Sequence, residues 1–259
     1  MKLLLLFLIF FSIAPCIGQT SITKVEYLCN TKLIGAPKYD GLNTLYFNTF
    51  ESIYIHNDYP TKNSTKRVNS KRYNTNVIAV VRPDDEGLSV YRNIRSDTMI
   101  WKTNYGNGVP RLIEPIEKID WKILDQHKKI SGLQCTKAKG ALYGRDYEVW
   151  FTPDIPVPFG PYKLGGLPGL ILQANSTDNI VNYELRLIET ESEDIDKIMP
   201  PQKGDLINME EFKKRKIEGL IRVEAKFSAT HNDPRSNTFI EKNKWRIYSE
   251  YKKKRSTNN

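Results

Sequence analysis

The sequence predicts a mainly β protein of α+β type: a strongly curved antiparallel sheet or half-barrel with one helix from the C-terminal half packed on it. Three observations lead there. Short runs of β-branched and aromatic residues recur between clusters of Asn, Asp, Gly and Pro. From Asp120 to Phe151 apolar and polar residues alternate, as in strands with one face inward. A single stretch, opening at Asn208, combines a capping residue with helical apolar spacing. At 259 residues, 39% hydrophobic and 27% charged, the chain can bury a sizeable core, which excludes disorder and collagen-like or mini-protein scaffolds.

The chain opens with Lys2, the apolar run Leu3–Phe11 and the small-residue exit Ala14-Pro15-Cys16-Ile17-Gly18. This reads as a secretory signal peptide over residues 1–18, cut before Gln19. The apolar run is shorter than the roughly 20 residues that span a bilayer, and no later run is longer, so the mature chain is expected to have no transmembrane segment. One β-rich domain is expected over 19–240, followed by a basic tail over 241–259.

Strands are expected at Ile22–Thr31, Asn43–Asn48 and Ser52–His56, where Val25, Tyr27, Leu45, Tyr46, Phe47, Ile53 and Tyr54 cluster. Asn57–Asn76 is basic and polar and reads as a mobile loop. Val77–Val81 and Leu88–Ile94 flank the turn cluster Pro83–Gly87 and read as a hairpin. Thr98–Lys102 is a further strand, followed by a turn-rich loop over Asn104–Pro110. Strands at Asp120–Leu124, Leu133–Ala138 and Tyr147–Phe151 form the alternating centre. Leu170–Ala174 and Asn182–Glu189 follow around the turn Asn175–Asn179, and Glu189–Asp196 reads as a solvated acidic connector. The helix is expected from Met209 to about Ala225, with Asn208 as cap, Glu210 and Glu211 at its positive end, and Phe212, Ile217, Leu220 and Ile221 on its apolar side.

The formal charge of +9, or +8 without Lys2, calls for anionic partners. In an exported protein these are envelope lipids or acidic glycans; no nucleic-acid module is present. Two cysteines remain after cleavage, Cys29 and Cys135. They either form a disulfide, which an oxidising compartment permits, or pack as two separate buried thiols. No Ser elbow, His-Glu-x-x-His, Walker loop or dinucleotide fingerprint occurs, and His56, His127 and His231 are far apart in the chain. No catalytic residue, metal site or cofactor is therefore assigned, although a carboxylate pair for hydrolysis would be set by the fold rather than by spacing.

Pro153, Pro156, Pro158 and Pro161 remove backbone donors at intervals, so 153–161 must run as an extended strap rather than a central strand. Pro168-Gly169 suits the centre of a type II turn with positive φ at Gly169. The strap either covers a cavity, with Trp150, Phe151, Phe159 and Tyr162 as lining and Arg145 or Lys163 at the mouth, or seals the curved sheet with its aromatics as core. A buried Arg145 would need a carboxylate, and Asp146, Glu148 and Asp154 are near in sequence.

Residues 150–172 contain Gly166-Leu167-Pro168-Gly169-Leu170-Ile171, preceded by Ile130-x-Gly132-x-x-Cys135-x-Lys137-Ala138, Gly144-Arg145 and Trp150-Phe151-Thr152. On these motifs the sequence resembles the GLPGLI family of exported Bacteroidetes-type envelope proteins, over about residues 22–230. The resemblance implies an envelope location, the periplasm or the outer-membrane periphery, and no particular activity. The resulting expectation is a non-catalytic binding protein for a hydrophobic or amphipathic ligand, lipid or peptide. Two alternatives stand beside it: a structural accessory docked on an outer-membrane transporter or secretion component, and a hydrolase of envelope polymers.

Overall fold

The computed structural model describes residues 22–32, 39–57, 64–70, 75–81, 86–103, 110–192, 195–216 and 218–219. In chain order the strands are β1 (Ile22–Thr31), β2 (Tyr39–Phe47), β3 (Glu51–His56), β4 (Ser64–Ser70), β5 (Thr75–Val81), β6 (Ser89–Asn93), β7 (Thr98–Lys102), β8 (Arg111–Pro115), β9 (Lys122–Ile130), β10 (Leu133–Leu142), β11 (Arg145–Thr152), β12 (Leu170–Ser176), β13 (Val181–Ser192) and β14 (Leu206–Ile207). Residues 209–216 form helix α1. Twelve strands make one sheet in the order β14-β8-β7-β6-β3-β2-β1-β13-β12-β11-β10-β9, while β4 and β5 form a separate two-stranded ribbon. The large sheet is curved and does not close into a barrel.

Local turn chemistry explains the meanders. Ser131-Gly132 joins β9 to β10 with φ of 48° and 85°, and Tyr143-Gly144 joins β10 to β11 with φ of 51° and 78°. Two consecutive positive φ values are what a two-residue hairpin with the sheet's right-handed twist requires. Asn48 Oδ1 accepts the Phe50 and Glu51 amides between β2 and β3, and Asn93 Oδ1 accepts those of Arg95 and Ser96 between β6 and β7. Such Asx turns replace a backbone turn with a side-chain acceptor. The first strand joins two wings: β1 pairs antiparallel with β2 on one side and β13 on the other.

The inner face holds Val25, Tyr27, Leu45, Tyr54, Val149 and Leu172, each fully buried. The proline strap, which continues to Gly169 and so spans residues 153–169, lies against this face. Phe159, Leu164 and Leu167 sink into the same core, and Arg92 reaches from β6 to donate to the carbonyls of Leu164 (2.7 Å) and Gly160 (2.9 Å). Tyr27 Oη–H donates to Ile171 O at 2.7 Å and Trp121 Nε1–H to Gly165 O at 2.8 Å. The strap is thus pinned by Arg92 and Trp121, which donate to carbonyls of a segment outside the strand ladder, while Tyr27 ties down the start of β12. At this seating Phe159, Leu164 and Leu167 are buried side chains of the core.

Several sequence expectations need correction. Ser64–Ser70 is not loop but pairs with Thr75–Val81, so the hairpin expected between 77–81 and 88–94 does not form; β6 pairs with β3 and β7 instead. The strand expected to start at Asn182 extends from Val181 to Ser192, shortening the acidic connector. Gly169 does not have positive φ; Gly166 does, at 88°. Gly169 is demanded by proximity, since a Cβ there would lie 2.2 Å from Thr152 O. The helix begins as expected, with the Glu211 amide donating to Asn208 Oδ1 at 2.9 Å. Residues 1–18, 58–63, 71–74, 82–85, 104–109, 217 and 220–259, with the expectations placed on them, lie outside the described residues. Among the described residues, no helix is long and apolar enough to cross a membrane.

Candidate functional site

The sheet's curvature brings its two ends together over the strap. Trp101 of β7 and Glu114 of β8 stand on the inner face near one end of the strand order, and Tyr143 lies in the β10–β11 turn near the other. The strap supplies Tyr162 and Lys163. Glu114 Oε1 accepts from Trp101 Nε1 at 2.7 Å, Lys163 Nζ at 3.1 Å and Tyr143 Oη at 3.5 Å. Lys163 Nζ sits 3.4 Å from the centroid of the Trp101 ring and 5.1 Å from that of Tyr143. An ammonium over aromatic faces with a carboxylate beside it is held by cation–π and ionic attraction together. The Lys163 side chain is 3% exposed and that of Glu114 16%. At this depth each side chain needs the partner it has.

The neighbouring rings extend the cluster inward. Tyr162 meets Tyr54 edge-on at 6.4 Å and His56 at 6.0 Å, and Tyr54 meets Tyr183 at 6.4 Å. Burial, then the Tyr147 phenol and the Glu114 carboxylate, push the Tyr162 phenol up to about 12. Burial, then the Glu114 and Glu117 carboxylates, also raise Tyr143. Both phenols are therefore hydrogen-bond donors at neutral pH. Burial pushes the His56 imidazole down to about 4, so that ring is neutral. Tyr143 remains 43% exposed, which places one phenol ring of the cluster in solvent. Phe212 of α1 packs edge-on against Trp101 at 6.3 Å.

Of the six residues expected to line a cavity, only Tyr162 and Lys163 meet here. Arg145 pairs with Asp178 at 3.1 Å, not with Asp146, Glu148 or Asp154. Glu148 is taken by Lys137 and Lys139, and Asp154 accepts the Gln134 amide. Trp150 stands on the outer face with Lys128 Nζ 4.4 Å from its ring, whereas Phe151, the next residue, is buried in the inner core. Strand alternation forces the two apart. Phe159 is fully buried with the Arg92 guanidinium 5.4 Å over its ring. Gly166, Leu167, Pro168, Gly169, Leu170 and Ile171 lead from the strap into β12 and serve packing. Cys29 and Cys135 are separate buried thiols, not a disulfide. Among the described residues, no group of three or more His, Cys, Asp or Glu is placed to hold a metal ion.

Comparison with known proteins places this architecture. The family described as N-glycanase peptide, N-terminal domain, matches residues 110–211, less than half of the chain. Two solved structures of PNGF-II, in P21 and C2 crystal forms, superpose with TM-score 0.52 at 14% identity over 77% of this chain. The match covers 34% and 33% of those chains, so this chain spans about a third of their length. At that identity the likeness shows a shared fold. No curated protein matches. The resemblance to the GLPGLI family is overturned, since the stretch that contains Gly166–Ile171 matches an N-glycanase domain instead. The same finding overturns the reading of the chain as a non-catalytic carrier of a hydrophobic or amphipathic ligand.

Proposed function

We propose that this chain works in the hydrolytic release of N-linked glycans, as an exported domain of N-glycanase type. This makes the polymer-hydrolase alternative specific. The observation that supports it is that the family match over 110–211 encloses Glu114, Tyr143, Tyr162 and Lys163, the residues the curved sheet gathers around Trp101. In this reading the cluster holds the sugar. Tyr143 offers a phenol ring to the C–H face of a pyranose, and the protonated phenols donate to ring or glycosidic oxygens. Glu114, fixed by three donors on one oxygen, accepts from sugar hydroxyls, and Lys163 keeps that carboxylate in place. Orientation of the glycan against the bond to be cut is the contribution such a cluster makes to rate.

The test uses the purified full chain and an N-glycopeptide. Mass spectrometry reads glycan release, and the indole N–H resonance of Trp101 reads binding. The expected result is a shift of that resonance, weakened at least tenfold in Glu114→Gln with the fold intact. A chain that neither shifts Trp101 nor releases glycan overturns the proposal.

A further inference from the structure

The outer face of the sheet carries an arrangement that the inner cluster does not use. Leu28 of β1 lies opposite Leu42 of β2 on one side and Glu184 of β13 on the other. Glu184 lies opposite Gln173, Gln173 opposite Trp150, and Trp150 opposite Lys137. These six residues form one line across six adjacent strands, stepping about 4.8 Å at a time. At the Leu28 end the surface opens into a groove of about 620 Å³, with Asn30, Asp40 and Asn182 as a second, parallel row along its wall. Leu28 is 50% exposed there, while its chain neighbours Tyr27 and Cys29 are buried on the inner side. At the other end the Trp150 indole is flanked by Lys128 and by Lys137, whose Nζ is 5.8 Å from the ring.

We propose that this groove and the row leading from it to Trp150 bind an oligosaccharide chain, at a site separate from the Glu114 cluster. The proposal rests on the N-glycan reading for the class of ligand and on the outer face for everything else. Carboxylates and side-chain amides interleaved with aliphatic surface match a ligand that presents hydroxyl donors and acceptors at its rim and C–H bonds on its faces. The step between strands is close to the length of one pyranose unit, so successive sugars meet successive side chains. The groove is lined by two carboxylates, Asp40 and Glu184, against one ammonium, Lys32, so its charge does not favour an anionic occupant. Polar side chains along the row disfavour an acyl chain. A site of this kind holds a branched glycan by an outer arm while its peptide-linked end is presented to the inner cluster or to another domain.

The experiment uses the full chain with labelled indole nitrogens, titrated with a neutral high-mannose oligosaccharide that carries no peptide, and separately with a lysine-rich peptide. The expected result is a saturable shift of the Trp150 resonance with the sugar. Affinity should fall at least tenfold in Leu28→Asp and in Glu184→Gln. Both positions are exposed, and an unchanged Trp121 resonance, whose indole N–H is bonded to Gly165 O, reports an intact fold. If the sugar moves Trp101 and leaves Trp150 unmoved, this site is overturned and the proposed function stands. Movement of Trp150 alone supports the outer site and counts against the Glu114 cluster. If neither moves, or if the peptide rather than the sugar moves Trp150, the outer site is overturned.

Discussion

Single residues in the strap are constrained by partners far away in sequence. Gly169 and Gly166 stand three positions apart, yet they resist substitution for different reasons. A methyl group at Gly169 would enter the Thr152 carbonyl, 2.2 Å away, and neither backbone can move without parting the strap from β11. At Gly166 the space is nearly open, with Trp121 Nε1 at 3.9 Å, and only the positive φ resists a side chain. Gly169→Ala should cost about 3 kcal/mol by overpacking. Gly166→Ala should cost roughly 1–2 kcal/mol by backbone strain. Urea midpoints decide it, and equal losses would contradict this account. The Pro-Gly pair pointed to the right residue for the wrong reason, because the obstruction at Gly169 comes from a chain segment that sequence spacing does not bring near.

His56 gives a pH dependence whose sign is fixed. Its imidazole, ordinarily near 6.5, is pushed down to about 4 by burial among Tyr54 and Tyr162. Below 6.5 the unfolded chain takes up a proton that the folded chain refuses until about pH 4. Folding stability should therefore fall as pH drops through that window, by about 2 kcal/mol. His56→Phe should flatten the fall between pH 6.5 and 4.5 in denaturant titrations, and a variant that tracks the wild type would refute the assignment.

The elements divide by how their structure is encoded. The strands from Lys122 to Ser192 are written locally, in alternation and in turns such as Ser131-Gly132. Their existence was legible, although several boundaries moved by a few residues. Val77–Val81 was legible as the strand that became β5, but its partner β4 was not, because Ser64–Ser70 contains a single apolar residue and pairs through its backbone. The strap was legible as an extended segment from its prolines, but not the agent that pins it. Arg92 sits in the strand Ser-Val-Tyr-Arg-Asn, where nothing local says that it reaches inward to carbonyls about seventy residues on. Burial pushes its guanidinium down to about 10, and two strap carbonyls with Ser52 Oγ hold it there. Arg92→Leu would leave those carbonyls without donors, at about 1–3 kcal/mol each. Hydrogen exchange should quicken at the Gly166 and Ile171 amides, which bond to Pro158 O and Phe159 O, before it quickens in β1. Uniform acceleration across the sheet would show that Arg92 does not act on the strap in particular.

At the scale of the whole molecule, the predicted curvature is present and it makes the candidate site. Glu114 is joined to Trp101, Tyr143 and Lys163, which are 13, 29 and 49 residues away in the chain. No motif search finds a cluster assembled in that way. One signal was available: in Arg-Leu-Ile-Glu-Pro, Glu114 falls in phase with the buried Leu112, and a carboxylate on the core side of a strand requires a partner. The residues that sequence reasoning favoured, Arg145, Trp150, Phe151 and Phe159, were chosen by proximity along the chain, and the pleat then distributed them to different faces.

The margins of the sheet have a further consequence. On one flank the two residues of β14 run parallel to β8 and occupy its outer hydrogen-bonding groups, while Arg111 ties the same segment down through Gly204 O and Pro201 O. On the other flank β9 carries the exposed charges of Lys122, Asp125 and Lys129. A partly capped margin on one side and exposed charges on the other discourage copies of the chain from zipping together into ribbons. A broad sheet of this kind thus guards both margins without closing on itself.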